Sequence, residues 1–231
     1  MIRTQSGHRE SGNATWTAKS VVVVMLSAAL LAGGCDASSG ERPLASAQPG
    51  SAGPRIEFDT TAGRIVIELD PVRAPLTARH VLDLVERGYY DGSLFYQSLP
   101  KRFVAGGRRA ADAPRLAAPT VRNEWSNGLR HERGTIAMCR RIGDPRTMQR
   151  RALQACIDSA SAEFFINTMD NAHLDLRQPD GAGYTVFGRV IAGMDVVDAL
   201  ARCATTRDAA NGEPGMLIEP VVIRIARRAA D

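Results

Sequence analysis

Apolar and polar positions along this chain fall into short blocks of two different periods. Ile56 to Thr60, the turn Thr61-Ala62-Gly63, and Arg64 to Leu69 read as two strands joined by a tight turn. Asp70 to Ala74 is a loop. Pro75 stands where a helix can start without its missing N–H. Ala78, Val81, Leu82 and Val85 then recur at helical spacing and Gly88 supplies a stop, which predicts a helix over residues 75–87. Strand-like pieces follow near 94–98, 101–105, 134–138, 163–168 and 184–190. Residues 193–203 read as a second helix, with Met194, Val197, Leu200 and Ala201 on one face, and residues 221–225 as a last strand. No internal repeat or coiled-coil heptad appears. This order of elements fits either an α+β fold or a capped barrel.

Before residue 55 the pattern changes. Residues 1–20 are polar and carry Arg3, Arg9 and Lys19; Val21 to Leu31 is a run apolar but for Ser27, followed by Ala32-Gly33-Gly34-Cys35. A positive start, a short apolar run and small residues describe an export signal, and the run is too short to read first as a spanning helix. Its terminal cysteine makes residues 1–35 resemble a lipoprotein signal, in which Cys35 is lipidated and becomes the new N-terminus. An ordinary cleaved signal and an uncleaved anchor are the alternatives. Residues 36–54, rich in Ser, Gly, Pro and Ala, read as a flexible tether. The domain is then residues 55–231. The localisation expected is outside the cytoplasm, lipid-anchored to the cell envelope membrane and facing the periplasm or exterior.

Composition adds limits. A chain of 231 residues, 44% hydrophobic and 23% charged, suits one globular domain plus a leader. The net charge is +4, of which the leader contributes two through Arg3, Arg9, Lys19 and Glu10. Nothing there makes an electrostatic case for nucleic-acid binding. None of Cys139, Cys156 and Cys203 has metal-ligand spacing with His8, His80, His131 or His173, so no metal is expected. Export makes disulfides permissible. Cys139 and Cys156 bracket an unusual stretch and are the preferred pair, with three unpaired buried thiols as the alternative.

Four motifs carry chemistry. Phe95-Tyr96-Gln97-Ser98-Leu99-Pro100-Lys101-Arg102-Phe103-Val104-Ala105-Gly106-Gly107 resembles the signature of the cyclophilins, peptidyl-prolyl isomerases that read there roughly F-H-R-V-I-P-G-F-M-x-Q-G-G. Arg133 followed by Gly134 to Met138 resembles their R-G-T-I-A-M strand. Ser159 to Asn167 resembles S-x-x-S-Q-F-F-I-N, and Gly183 to Asp195 the V-F-G-K-V-x-x-G-M-D block. Asn123-Glu124 followed by Asn127-Gly128-Leu129 is typical of bacterial members. The resemblance covers about residues 56–227. It implies a mainly β fold, a closed eight-stranded antiparallel barrel capped by two helices, in which closure removes exposed sheet edges.

The resemblance also implies a reaction, one that breaks no bond and needs no cofactor. Rotation about an X–Pro bond meets a barrier of about 18–20 kcal/mol. A catalyst must grip the proline ring in an apolar pocket and aim a charged donor at the imide nitrogen, which regains a lone pair only in the twisted state. Where the family places that arginine stands Gln97, which can donate but without charge. Arg102 could point to solvent, pair with Glu163 and plug the pocket, or serve as a substitute donor. Phe103, Phe165 and Leu174 are the implied apolar contacts with substrate. Ala105, Glu163, His173 and Tyr184 replace or accompany the family's remaining pocket residues. Residues 139–158 form an insertion, basic through Arg140, Arg141, Arg146, Arg150 and Arg151. Cys139 and Arg140 are expected at the groove rim, and residues 147–156 could form a short helix. The partners expected are proline-containing segments of exported proteins and the membrane holding the lipid anchor, with the chain itself a monomer. The function expected is an isomerase assisting folding of envelope proteins at reduced activity. The alternative is a proline-segment-binding or chaperone-like module without catalysis.

Overall fold

The computed structural model describes residues 53–110, 116–209 and 212–229. The expected signal, the lipidation site Cys35 and the tether up to residue 52 lie outside the described residues.

Two strands, β1 (Arg55–Thr60) and β2 (Gly63–Leu69), form the hairpin at the tight turn, with Thr60 opposite Gly63 and Arg55 opposite Glu68. Helix α1 (Pro75–Glu86) begins at its proline. Its first N–H groups would be orphans, and Glu124, far along the chain, accepts from them: Leu76 N at 3.1 Å and Thr77 N at 2.9 Å. Then come β3 (Ser93–Leu99), β4 (Phe103–Arg109), β5 (Thr135–Met138), α2 (Arg150–Ile157), β6 (Phe164–Asn167), β7 (Val186–Ala192), α3 (Met194–Ala201), the two-residue β8 (Thr205–Thr206) and β9 (Met216–Arg228).

The sheet runs β1-β2-β7-β5-β6-β4-β3-β9, and β9 pairs back to β1, so eight antiparallel strands close into a barrel; β8 is a short appendage on β9. The final strand is longer than its apolar stretch 221–225 suggests. It serves two neighbours, opposing β3 at Met216 to Ile223 and β1 at Ile223 to Arg228. Polar residues in it are tolerated because one face is solvated.

Alternation along the strands divides the apolar residues between two clusters. Val104, Ile136, Phe164 and Ile166 point into the barrel. They join Ile56, Phe58, Ile65, Ile67, Phe95 and Phe187, with Val81 and Leu84 of α1 and Val197 and Leu200 of α3 closing the ends. Phe164 is the hub, stacked on Phe58 at 5.5 Å and edge-on to Phe95 and Tyr90. Gly106 is required beside it: a Cβ there would sit 2.8 Å from Phe95 and 3.0 Å from Phe164. The neighbours of the inward residues, Phe103, Ala105, Ala137 and Phe165, point outward and build a second apolar cluster on the barrel wall.

Candidate active site

That outer cluster joins Tyr96, Phe103, Ala105, Ala137, Cys139, Phe165, Leu174, Tyr184 and Val186. It therefore brings together five of the residues assigned from sequence to substrate contact: Phe103, Ala105, Phe165, Leu174 and Tyr184. The Phe103 and Phe165 rings lie 5.0 Å apart, and Tyr184 meets Phe165 edge-on at 5.6 Å. Leu174 arrives on a 3-10 turn (Ala172–Leu174) whose first bond is Leu174 N–H to the Asn171 carbonyl at 2.8 Å. Buried Asn171 fixes that turn, donating to the Arg102 carbonyl and to Asn167 Oδ1, each at 2.8 Å. The result is an aromatic and aliphatic floor suited to a saturated five-membered ring.

His131 stacks on Phe165 with rings 5.6 Å apart and nearly parallel. Burial pushes its pKa down to about 4, against the opposing pull of Asp175, so it is a neutral packing ring near pH 7. Spacing sets His131 aside as a metal ligand and assigns it no other role. Among the described residues no group of three or more His, Cys, Asp or Glu is placed to hold a metal ion.

The donor position differs from expectation. Phe95 opposes Gly106 and Gln97 opposes Ala105, so Tyr96 is an extra residue in β3 and the strand bulges there. Gln97 is 1% exposed. Its Nε2 donates to Glu213 Oε1 and to the Pro214 carbonyl, both at 3.0 Å. Both amide hydrogens are therefore committed. Flipping the amide would set its oxygen against those two acceptors, which fixes the orientation. The expectation that Gln97 could donate to substrate is thus corrected: its other polar atom, buried Oε1, is an acceptor and has no hydrogen-bond partner among the described residues. Glu213, 9% exposed, has its carboxyl pKa raised by burial, with Arg108 opposing.

Glu163 does not pair with Arg102. It accepts from the Tyr96 hydroxyl at 2.7 Å and from Arg108 Nε and Nη2 at 3.4 Å. The Arg108 guanidinium lies 3.6 Å over the Tyr96 ring. Arg102 sits on the turn before β4. Its backbone bonds to Leu99, Thr168 and Asn171, but its guanidinium makes no hydrogen bond among the described residues. Desolvation, with the Arg102 charge second, lowers the pKa of His173. Arg102 and His173 thus share the rim beside Leu174, and the plug formed with Glu163 is absent.

Arg140 is a second correction. It is not a groove-rim contact: its side chain is 1% exposed and forms a bidentate ion pair with Asp180 at 2.6 and 2.9 Å. It also donates to the carbonyls of Gly183, Ala182 and Arg141. The long side chain turned inward because a buried carboxylate and a bare run of carbonyls awaited it. The Cys139–Cys156 bridge is a third: both thiols are free and buried. Cys139 faces the outer cluster beside Tyr96, whereas Cys156 lies on α2 under its own loop against Gly143. The expected helix in the insertion is α2, with Arg150 and Arg151 exposed on it.

Residues 55–223 match the family model described as cyclophilin type peptidyl-prolyl cis-trans isomerase/CLD. The chain is similar to the peptidyl-prolyl cis-trans isomerase cyp18 of Streptomyces antibioticus, with 39% identity over 176 residues, covering 74% of this chain and 96% of that protein. It is 41% identical over 147 residues to peptidyl-prolyl cis-trans isomerase A of Dickeya dadantii, covering 63% and 70% respectively. Among solved structures, a cyclophilin-type isomerase of Cryptosporidium parvum superposes with a TM-score of 0.58 at 18% identity, over 77% of this chain and 98% of that one. At that identity the superposition speaks for the fold alone.

Proposed function

The chain belongs to the family of cyclophilin-type peptidyl-prolyl cis-trans isomerases, and on that premise we propose that its barrel wall isomerises X–Pro bonds more slowly than its relatives. The observation that carries the activity is the outward cluster in which Phe103 and Phe165 meet at 5.0 Å beside Leu174. A proline ring laid on that floor is desolvated and held while the imide rotates. No bond breaks and no cofactor is needed. The lower rate follows from Gln97, whose donor hydrogens serve Glu213 and Pro214. Loss of one preorganised donor reduces turnover by roughly 10²–10³.

Isomerisation of a tetrapeptide carrying an Ala–Pro bond, followed by NMR exchange, tests this. Phe165→Ala is expected to weaken peptide binding at least roughly tenfold, since one aromatic anchor of a small pocket is worth about 1.4 kcal/mol or more. The committed Gln97 amide also favours a second reading, a module that binds proline segments without catalysis. Peptide titration with a rate equal to the thermal one would select it.

The setting proposed is the cell envelope, with exported proteins as clients, supported by the apolar run Val21 to Leu31 and Cys35. Cys35→Ser is then expected to release the protein from the membrane fraction. Retention of the variant would overturn the lipid anchor.

A further inference from the structure

We propose that Arg108 supplies the cationic donor to the X–Pro nitrogen in this enzyme. The inference rests on the isomerase reading above and names the group that carries its residual catalysis.

The reaction needs a cation beside an apolar floor, and three arginines approach that floor. Arg140 is enclosed, with its guanidinium bonded to Asp180 and three carbonyls. Arg102 lies at the His173 rim with no carboxylate or ring holding its guanidinium among the described residues. Arg108 is held on two sides. Its guanidinium carbon is 3.6 Å from the Tyr96 ring centre, and Nε and Nη2 face the two Glu163 oxygens. Tyr96 is itself part of the cluster that includes Phe103, Ala105 and Phe165. The cation is thus held against a ring that belongs to the floor's own cluster. Its Nη1 makes no hydrogen bond among the described residues, and the side chain is 29% exposed, so a donor edge remains open to a ligand.

Backbone geometry explains how Arg108 reached this face. Phe103 and Ala105 point outward, so regular alternation would turn residue 108 into the barrel. Leu94 opposes Arg108 while Phe95 opposes Gly106, which leaves Gly107 as an extra residue with φ +87°. That bulge reverses the alternation and delivers Arg108 to the outer wall. A side chain at Gly107 would be both strained and in collision, because its Cβ would lie 2.5 Å from the Ala162 carbonyl. Beside it, Ala105 offers only a methyl group to the groove. The two 3.4 Å contacts with Glu163 are long for charge-assisted bonds. They orient the guanidinium without closing it off. A planar fork of this kind can follow the nitrogen lone pair as the amide twists.

The test compares wild type, Arg108→Met and Arg108→Gln in two assays on the same Ala–Pro tetrapeptide: kcat/KM by NMR exchange and Kd by titration. The second neutral variant decides the matter where the first does not fold. Expected is a fall in kcat/KM of roughly 10²-fold with Kd changed less than about threefold, the pattern of a contact made only in the twisted state. Adding Gln97→Arg to Arg108→Met should restore part of the rate by returning a cation from β3. Activity within about threefold of wild type overturns the proposal, as does an equal loss of kcat/KM and affinity, which marks simple binding. Those results leave the isomerase reading intact. A wild-type protein that binds peptide without accelerating exchange overturns both.

Discussion

Breaking the Arg140–Asp180 pair should destabilise the domain severely, and breaking it from both sides should do little further harm. Arg140 and Asp180 side chains are 1% and 0% exposed. Arg140→Met leaves the Asp180 carboxylate in the interior with only the Gly143 and Ala182 N–H groups, at 3.1 and 3.3 Å. It also strands three carbonyls. Removing one partner of a buried pair costs about 3–5 kcal/mol, a large part of the roughly 5–15 kcal/mol that holds a domain together. Asp180→Asn should cost a similar amount by leaving the guanidinium unpaired. The double variant Arg140→Met/Asp180→Leu has no stranded charge, so its loss should be close to that of one single variant. That corresponds to a coupling energy about as large as one single loss, about 3–5 kcal/mol. Urea unfolding followed by fluorescence of Trp125, which packs against Gly183, reads the loss as a shifted midpoint at constant slope. The pair also pins Gly183, next to Tyr184 of the pocket, so peptide affinity should fall in the single variants. Singles that each cost under about 1 kcal/mol, or a double equal to their sum, would refute the reasoning.

Glu213 gives a pH dependence of definite sign. Burial raises its carboxyl pKa above the ordinary 4.5. Between those two values the folded state holds a proton that the unfolded state has released, so stability falls as pH rises through that window. Glu213→Gln should flatten this part of the stability–pH curve, and an unchanged slope would contradict the assignment. The cysteines predict a labelling pattern. Cys203 is exposed, while Cys139 is buried and its thiol pKa is pushed well up, chiefly by desolvation. Alkylation of the native protein should modify Cys203 and spare Cys139 and Cys156. Recovery of a Cys139–Cys156 disulfide peptide would contradict the structure.

The strands and helices were legible because their signals are local, whereas their closure into a barrel was legible only through the motif resemblance. The hairpin around Gly63 and the helix starting at Pro75 follow from spacing within a few residues, while the outward place of Phe165 came through the resemblance. The apolar floor was legible through motif resemblance, and Phe103, Phe165 and Leu174 meet where it placed them. The polar half of the site was not. Gln97 is held by Glu213, distant in sequence and on a loop with no motif. Two bulges, at Tyr96 and at Gly107, decide which residues face the groove, and a bulge depends on the register of the partner strand. Arg140 and Arg141 are adjacent basic residues of one insertion, yet only Arg140 found a buried carboxylate. Charge alone does not say which arginine turns inward. The Gly-Gly pair before Arg108 was the available hint that alternation would reverse.

The most direct test is NMR exchange on the Ala–Pro tetrapeptide with the wild-type chain and Gln97→Met, a near-isosteric change. Catalysis above the thermal rate, retained within about threefold by Gln97→Met, is expected for an isomerase whose position-97 amide serves Glu213 rather than substrate. A thermal rate with wild type, or a loss of roughly 10²-fold or more on changing Gln97, would contradict it.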